Sequence, residues 1–229
     1  MTSDGKITAI CCKCIDYKEN DKLVTLVSAE CGQVVATLKG VKKVNAKLKY
    51  AAMPFNFGEY TLVGKEGKYI VSDCNQIESF SEISYDIKCY YAGFAILKSL
   101  IDFSLENTPC PKLVSVAVRA LKALAIDKVY PTRVYNKFVL YALDCLGYRL
   151  DFKFCAVCGK ELDEAYFSKD DGVICENCGS FFKTKIPHEV FENLKTGGTS
   201  VDERVQRNTN IFLNQAVYEM LGVKIAILE

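Results

Sequence analysis

Two cysteine pairs, Cys155-Ala156-Val157-Cys158-Gly159 and Cys175-Glu176-Asn177-Cys178-Gly179, constrain this chain more than any other feature. Sixteen residues separate them, which is the C-x2-C-x15–20-C-x2-C spacing of a tetrahedral thiolate metal site. A two-residue gap lets both sulfurs of a pair reach one ion. Glycine after each second cysteine permits the tight turn that aims backbone N–H groups at sulfur. Asp170-Asp171-Gly172 predicts a hairpin turn between the pairs. Four thiolates leave no open coordination position, so Cys155, Cys158, Cys175 and Cys178 predict a structural site. Zn2+ is the expected ion and iron the alternative. Side chains over residues 151–185 sum to −2; with four thiolates and a divalent ion the loaded module carries about −4. That field repels phosphate, so the module reads as a staple for a small subdomain lacking its own core, not as a DNA contact.

The chain has twelve cysteines among 229 residues, yet a secreted disulfide scaffold is not the expectation. No apolar signal segment follows Met1, and the other cysteines, such as Cys89 and Cys145, lie mostly in apolar runs where a reduced thiol acts as a small hydrophobe. A reducing cytoplasm fits. No apolar run reaches the ~18–20 residues needed to cross a bilayer, so no membrane partner is expected.

Hydrophobic periodicity divides the rest. Residues 6–80 read as five short strands, Ile7–Ile15, Leu23–Ala29, Val34–Leu38, Phe55–Val63 and Lys68–Ser72, with turns at Glu19-Asn20-Asp21, Cys31-Gly32 and Gly64-Lys65-Glu66-Gly67. That count predicts a small closed or half-closed barrel. The polar connection Lys39–Pro54 is expected to be a mobile loop. Residues 81–150 read as a helical domain: Tyr90, Phe94, Leu97 and Ile101 recur at helical spacing, a second helix spans Leu113–Ala125, and a third runs from Pro131 through Leu146, with Gly147 as C-cap. After the cysteine module (151–185), residues 186–229 return to helix, with Pro187 at N1 and a break at Thr196–Ser200; these helices are expected to pack on the helical domain. The fold class expected is therefore α+β, an N-terminal five-stranded barrel followed by a helical bundle domain with an inserted four-cysteine zinc module.

Net charge is only +1, but it is unevenly spread: +2 over residues 1–80, +3 over 81–150, and −2 in each later segment. Lys39, Lys42, Lys43, Lys47 and Lys49 fall within eleven residues with no acid between them. On a barrel, with Tyr50, Phe55 and Phe57 nearby as stacking faces, they form a candidate phosphate-contacting surface; an ordinary solvated face is the alternative. No G-x-x-x-x-G-K-[ST] loop is present, and the single histidine, His188, reads as a surface residue. No Ser/His/Asp set or carboxylate pair can be assembled, so no enzyme chemistry is expected.

Three stretches together resemble the bacterial RecO family of recombination mediators. They are Tyr17–Leu26 followed by Glu30-Cys31-Gly32; Lys39-Gly40-Val41-Lys42-Lys43 leading through Lys47 to Ala51-Ala52-Met53-Pro54-Phe55; and Leu146-Gly147-Tyr148 before the cysteine module, with Phe167-Ser168 and Gly172 ahead of Cys175. The resemblance implies an N-terminal OB-fold, a central helical domain and a zinc module. It implies binding to single- and double-stranded DNA, annealing of complementary strands, partnership with RecR, and docking on the acidic C-terminal tail of the single-strand-binding protein. It makes Lys39, Lys42, Lys43 and Lys47 the first DNA candidates. The family often carries Arg there, whereas Lys neutralises phosphate as a point charge without forking. A groove for an acidic tail needs a cationic rim, for which Arg119, Lys122, Arg133 and Lys137 are the candidates. The alternative is a zinc-stapled adaptor that does not touch DNA.

Overall fold

The computed structural model describes residues 5–65, 67–126, 130–179 and 183–228. The chain forms two compact units, Met1–Ile126 and Asp127–Glu229.

The first unit opens with strands β1 (Gly5–Tyr17), β2 (Asp21–Ser28), β3 (Gly32–Leu38), β4 (Asn56–Lys65) and β5 (Lys68–Ser79). They close into a barrel in the order β1-β2-β3-β5-β4. All neighbours are antiparallel except β3 and β5, which meet in parallel through Ala36↔Tyr69 and Thr37↔Ile70. This is the expected OB-fold barrel. Alternation fills it: Ile7, Ala9 and Cys11 of β1, Val24 and Leu26 of β2, Val34, Ala36 and Leu38 of β3, and Tyr60 and Leu62 of β4 share one buried cluster. Ile10, Cys12 and Val27, on the opposite faces, are buried too. There β1 meets α1 (Ile87–Phe103) and β2 meets α2 (Pro111–Ile126). Asp86 caps α1, accepting from Cys89 N at 2.8 Å.

Two expectations need correction here. β5 runs to Ser79, not Ser72, because its far half is polar and exposed and therefore silent to an alternation reading. The turn before it keeps its register, Lys65↔Lys68, although Glu66 lies outside the described residues. The Lys39–Pro54 connection is not a loose loop. Gly40 N donates to Asp21 Oδ1 at 2.7 Å and Lys42 N to Asn20 O at 3.0 Å. Val41, Ala51 and Ala52 join the barrel core, the last two on a 3-10 turn, Tyr50–Ala52, whose Tyr50 hydroxyl donates to Cys74 O.

The second unit holds α3 (Pro131–Cys145), a three-stranded sheet of β6 (Tyr166–Ser168), β7 (Gly172–Ile174) and β8 (Thr184–Lys185), then α4 (His188–Lys195) and α5 (Glu203–Leu221). The helices expected to form one domain over 81–150 are thus divided: α1 and α2 pack with the barrel, whereas α3 packs on α5. α3 ends in a Schellman motif. Gly147 takes φ +88, Tyr148 N donates to Leu143 O (2.9 Å) and Gly147 N to Asp144 O (3.1 Å). Pro187 is the N-cap of α4, not its first residue. The break at Thr196–Ser200 is fastened by buried amides. Gln206 Nε2 donates to Ser200 O (2.8 Å), Ser200 N to Asn193 Oδ1 (3.0 Å) and Asn136 Nδ2 to Gln206 Oε1 (3.0 Å).

Candidate metal centre and nucleic-acid interface

The β6–β7 hairpin, closed through Ser168↔Gly172 at the predicted turn, brings the two cysteine pairs together. The Sγ atoms of Cys155, Cys158, Cys175 and Cys178 lie within 4.8 Å of one another. Gly159 (φ +72) and Gly179 (φ +81) adopt the left-handed turns that the spacing predicts. At Gly179 a Cβ would stand 2.2 Å from Ile174 Cδ1, so a side chain is excluded twice over. Cys175 N donates to Cys155 Sγ at 3.3 Å. Burial pushes the Cys155 thiol up, but N–H groups from Cys158, Cys175 and Val157 outweigh it and bring the thiol down to about 6. Cys178, sharing protons with Cys175 and Cys158, is pushed up to about 12. Four converging sulfurs that cannot all ionise together, with backbone donors already aimed at them, fit a thiophilic divalent cation. Such an ion would join the segments before and after the hairpin; all four positions being cysteine, it would serve structure.

As expected, the module has no core to itself; it shares one with the helices that follow. Phe152, Phe167, Val173 and Ile174 share a buried cluster with Val190 and Phe191 of α4 and Ala216 of α5.

The five lysines of the 39–49 segment are all exposed. Lys42 Nζ pairs with Asp16 Oδ2 at 2.8 Å, and its ammonium holds that carboxyl below the usual range. Lys49 Nζ donates to Val44 O at 2.7 Å. Among the described residues Lys39, Lys43 and Lys47 make no ion pair. The aromatic neighbours differ from expectation. Phe55 is buried, with φ +71, so it offers no face to solvent. A bulky side chain in that region costs roughly 1–3 kcal/mol and persists only where surroundings hold it. Here Gly93 of α1 makes the room, since a Cβ there would stand 2.8 Å from Phe55 Cε1. Phe55 meets Phe94 (4.9 Å) and Tyr90 (6.3 Å) edge to face. Tyr90, read from sequence as core, is instead 37% exposed, and Tyr91, which periodicity passes over, is 63% exposed. Adjacent aromatics in a helix's first turns were the available signal.

The four candidate rim cations divide between the units. Arg119 and Lys122 lie on α2, where Lys122 pairs with Glu78 at 3.3 Å. Arg133 and Lys137 lie on α3, Arg133 covering the Tyr130 ring at 4.2 Å. His188 is exposed.

Comparison with known proteins agrees with this architecture. Residues 1–80 match the family described as Recombination protein O N terminal, and residues 84–190 match Recombination protein O C terminal. The DNA repair protein RecO of Clostridium novyi is 30% identical over 228 residues, covering 96% of this chain and 88% of that one. Its counterpart from Desulforamulus reducens is 30% identical over 196 residues, 83% of this chain and 76% of that protein. That of Caldicellulosiruptor bescii is 27% identical over 195 residues, 82% and 78% respectively. An OB barrel followed by helices and a four-cysteine cluster is here the frame of a DNA-repair protein. The chain belongs to the RecO family, and its role lies in DNA repair and recombination. No helix among the described residues is long and apolar enough to cross a membrane.

Proposed function

We propose that this chain is a non-enzymatic recombination mediator of the cytoplasm and nucleoid. It binds single- and double-stranded DNA through Lys39, Lys42, Lys43, Lys47 and Lys49 and anneals complementary strands. With RecR, and by docking on the acidic C-terminal tail of the single-strand-binding protein, it helps load recombinase onto covered strands. The observation that carries the reading is a segment with five exposed lysines whose Val41, Ala51 and Ala52 are buried in an OB barrel. Annealing needs no covalent step. Two phosphate backbones repel, and a cationic surface lowers that repulsion while bases stay accessible. Arg119 and Lys122 on α2, or separately Arg133 and Lys137 on α3, are the candidates for cationic contact with the acidic tail, whose docking raises local concentration without reading sequence. Zn2+ on Cys155, Cys158, Cys175 and Cys178 holds the module's shape.

Changing Lys39, Lys42, Lys43 and Lys47 together to Glu tests the interface. Anisotropy titrations with single-stranded DNA at low and moderate salt should show binding and annealing lost while the far-ultraviolet circular dichroism is kept. Four phosphate contacts on a single strand correspond to a salt slope of roughly 3. Unchanged affinity in the variant would refute the site. A wild-type protein that binds no DNA at either salt would favour the adaptor reading.

A further inference from the structure

We propose that Tyr90 and Tyr91 on α1 form a stacking platform for the unpaired bases of single-stranded DNA whose phosphates follow the lysine segment. The inference rests on the DNA-binding reading above and adds to it the residues that favour single strands over duplex.

Three observations meet at this spot. The first is exposure: Tyr91 (63%), Ile87 (64%) and Met53 (56%) leave aromatic and apolar surface in water. The second is order. Phe55 meets Phe94 (4.9 Å) and Tyr90 (6.3 Å), and Tyr90 meets Tyr91 (6.4 Å), each pair of rings edge to face. Tyr90 is also locked directly on Phe94 at 4.8 Å. Phe55, seated over Gly93, closes this cluster with Phe94, so Tyr90 is oriented before any ligand arrives. The third is continuity with positive charge. The chain passes from Lys47 and Lys49 through the Tyr50–Ala52 turn and Met53 straight to Phe55, the ring that touches Tyr90. The six residue steps from Lys49 to Phe55 span at most ~22 Å even when extended. A strand of the ~4–16 nucleotides that one OB barrel engages is long enough to reach across that span.

A base offers a π-face whatever its identity, so stacking of this kind is tolerant of sequence. In a duplex those faces are already covered. Phosphate contacts serve both forms of DNA, whereas the tyrosines serve only the single strand.

The test uses the full-length protein and three forms: wild type, Tyr91→Ala and Tyr91→Phe. Tyr91 is chosen because Tyr90 packs on Phe55 and Phe94, where truncation would disturb the fold. Anisotropy is read with a labelled oligo(dT) and with a labelled hairpin duplex. A stacked base lost on alanine substitution corresponds to a roughly 5- to 150-fold weaker single-strand affinity. The duplex affinity should stay unchanged and Tyr91→Phe should restore binding. In parallel, an oligonucleotide carrying 5-iododeoxyuridine, irradiated in complex with wild type, should crosslink to the peptide holding Tyr90 and Tyr91. Equal affinity of Tyr91→Ala and wild type for oligo(dT) would overturn the proposal. Equal loss on both DNA forms, or crosslinks only elsewhere, would do so too, the exposed face then belonging to a protein partner. If wild type binds neither DNA form, it is the parent reading that fails.

Discussion

The strands of the barrel run 7 to 13 residues, those of the cysteine module 2 or 3. The barrel encloses its own interior. Alternate residues of five strands meet there, and the sheet closes on itself, most weakly at the two-residue parallel seam between β3 and β5. The module encloses nothing by itself. It leans Phe167, Val173 and Ile174 on α4 and α5, and three of its four gathered cysteines, Cys155, Cys175 and Cys178, lie in or against that same cluster. The contrast shows two routes to an ordered β structure. One spreads stabilisation over a closed interior of its own; the other borrows a core from neighbouring helices and adds four cysteines that could hold one ion.

Stripping the metal should separate the regions most sharply. Apparent binding free energies at structural zinc sites run about 10–16 kcal/mol. A strong chelator, or Cys158→Ser, is therefore expected to abolish hydrogen-exchange protection across β6 and β7 while β1 to β5 keep theirs. Loss of protection in both regions, or in neither, would break the comparison. Leu26→Ala probes the other side. Leu26 is fully buried in the barrel, so truncation should cost about 2–5 kcal/mol. Calorimetry should show a lower transition for the first unit, with metal content unaltered. A shift confined to the second unit would contradict the assignment of stability.

The smallest effect concerns acid. Burial raises the Glu30 carboxyl, but the Ser28 hydroxyl (2.7 Å) and Thr8 N–H (3.0 Å) outweigh it and hold the group below its ordinary value. A depressed carboxylate contributes stability that is complete above about pH 4.5 and lost as pH falls through the lower folded value. Solvent screening limits this to about 1 kcal/mol or less. Glu30→Gln should flatten the barrel's acid transition below pH 4.5, followed through its own amides. A variant with an undiminished acid transition would remove Glu30 from the account.

The cysteine site was legible because its chemistry is written locally: four residues, two gaps and two glycines, with no long-range contact needed to recognise them. The strands were legible where burial is one-sided, as in β3, whose buried and half-exposed residues alternate. Legibility failed where partners are distant in sequence. Val41, Ala51 and Ala52 carry no periodic pattern, yet they pin the lysine segment to the barrel. The seat of Phe55 depends on Gly93, thirty-eight residues away. An isolated glycine inside a helical stretch is the one trace such a close approach leaves in sequence. The division after Ile126 was equally hidden, because apolar helices announce burial but not which neighbour they will cover.

If the lysine segment binds DNA as proposed, its fastening bears on how quickly a strand would be caught. A floppy arm must surrender its freedom when it grips, and that loss slows and weakens capture. Here Asp21 and Asn20 hold the backbone at Gly40 and Lys42, and Ala51 and Ala52 are buried in the barrel, so on the proposed reading an incoming polyanion would meet a segment with less backbone freedom left to lose. Encounter can then approach the pace that diffusion and long-range attraction allow, with ionic strength acting as the throttle.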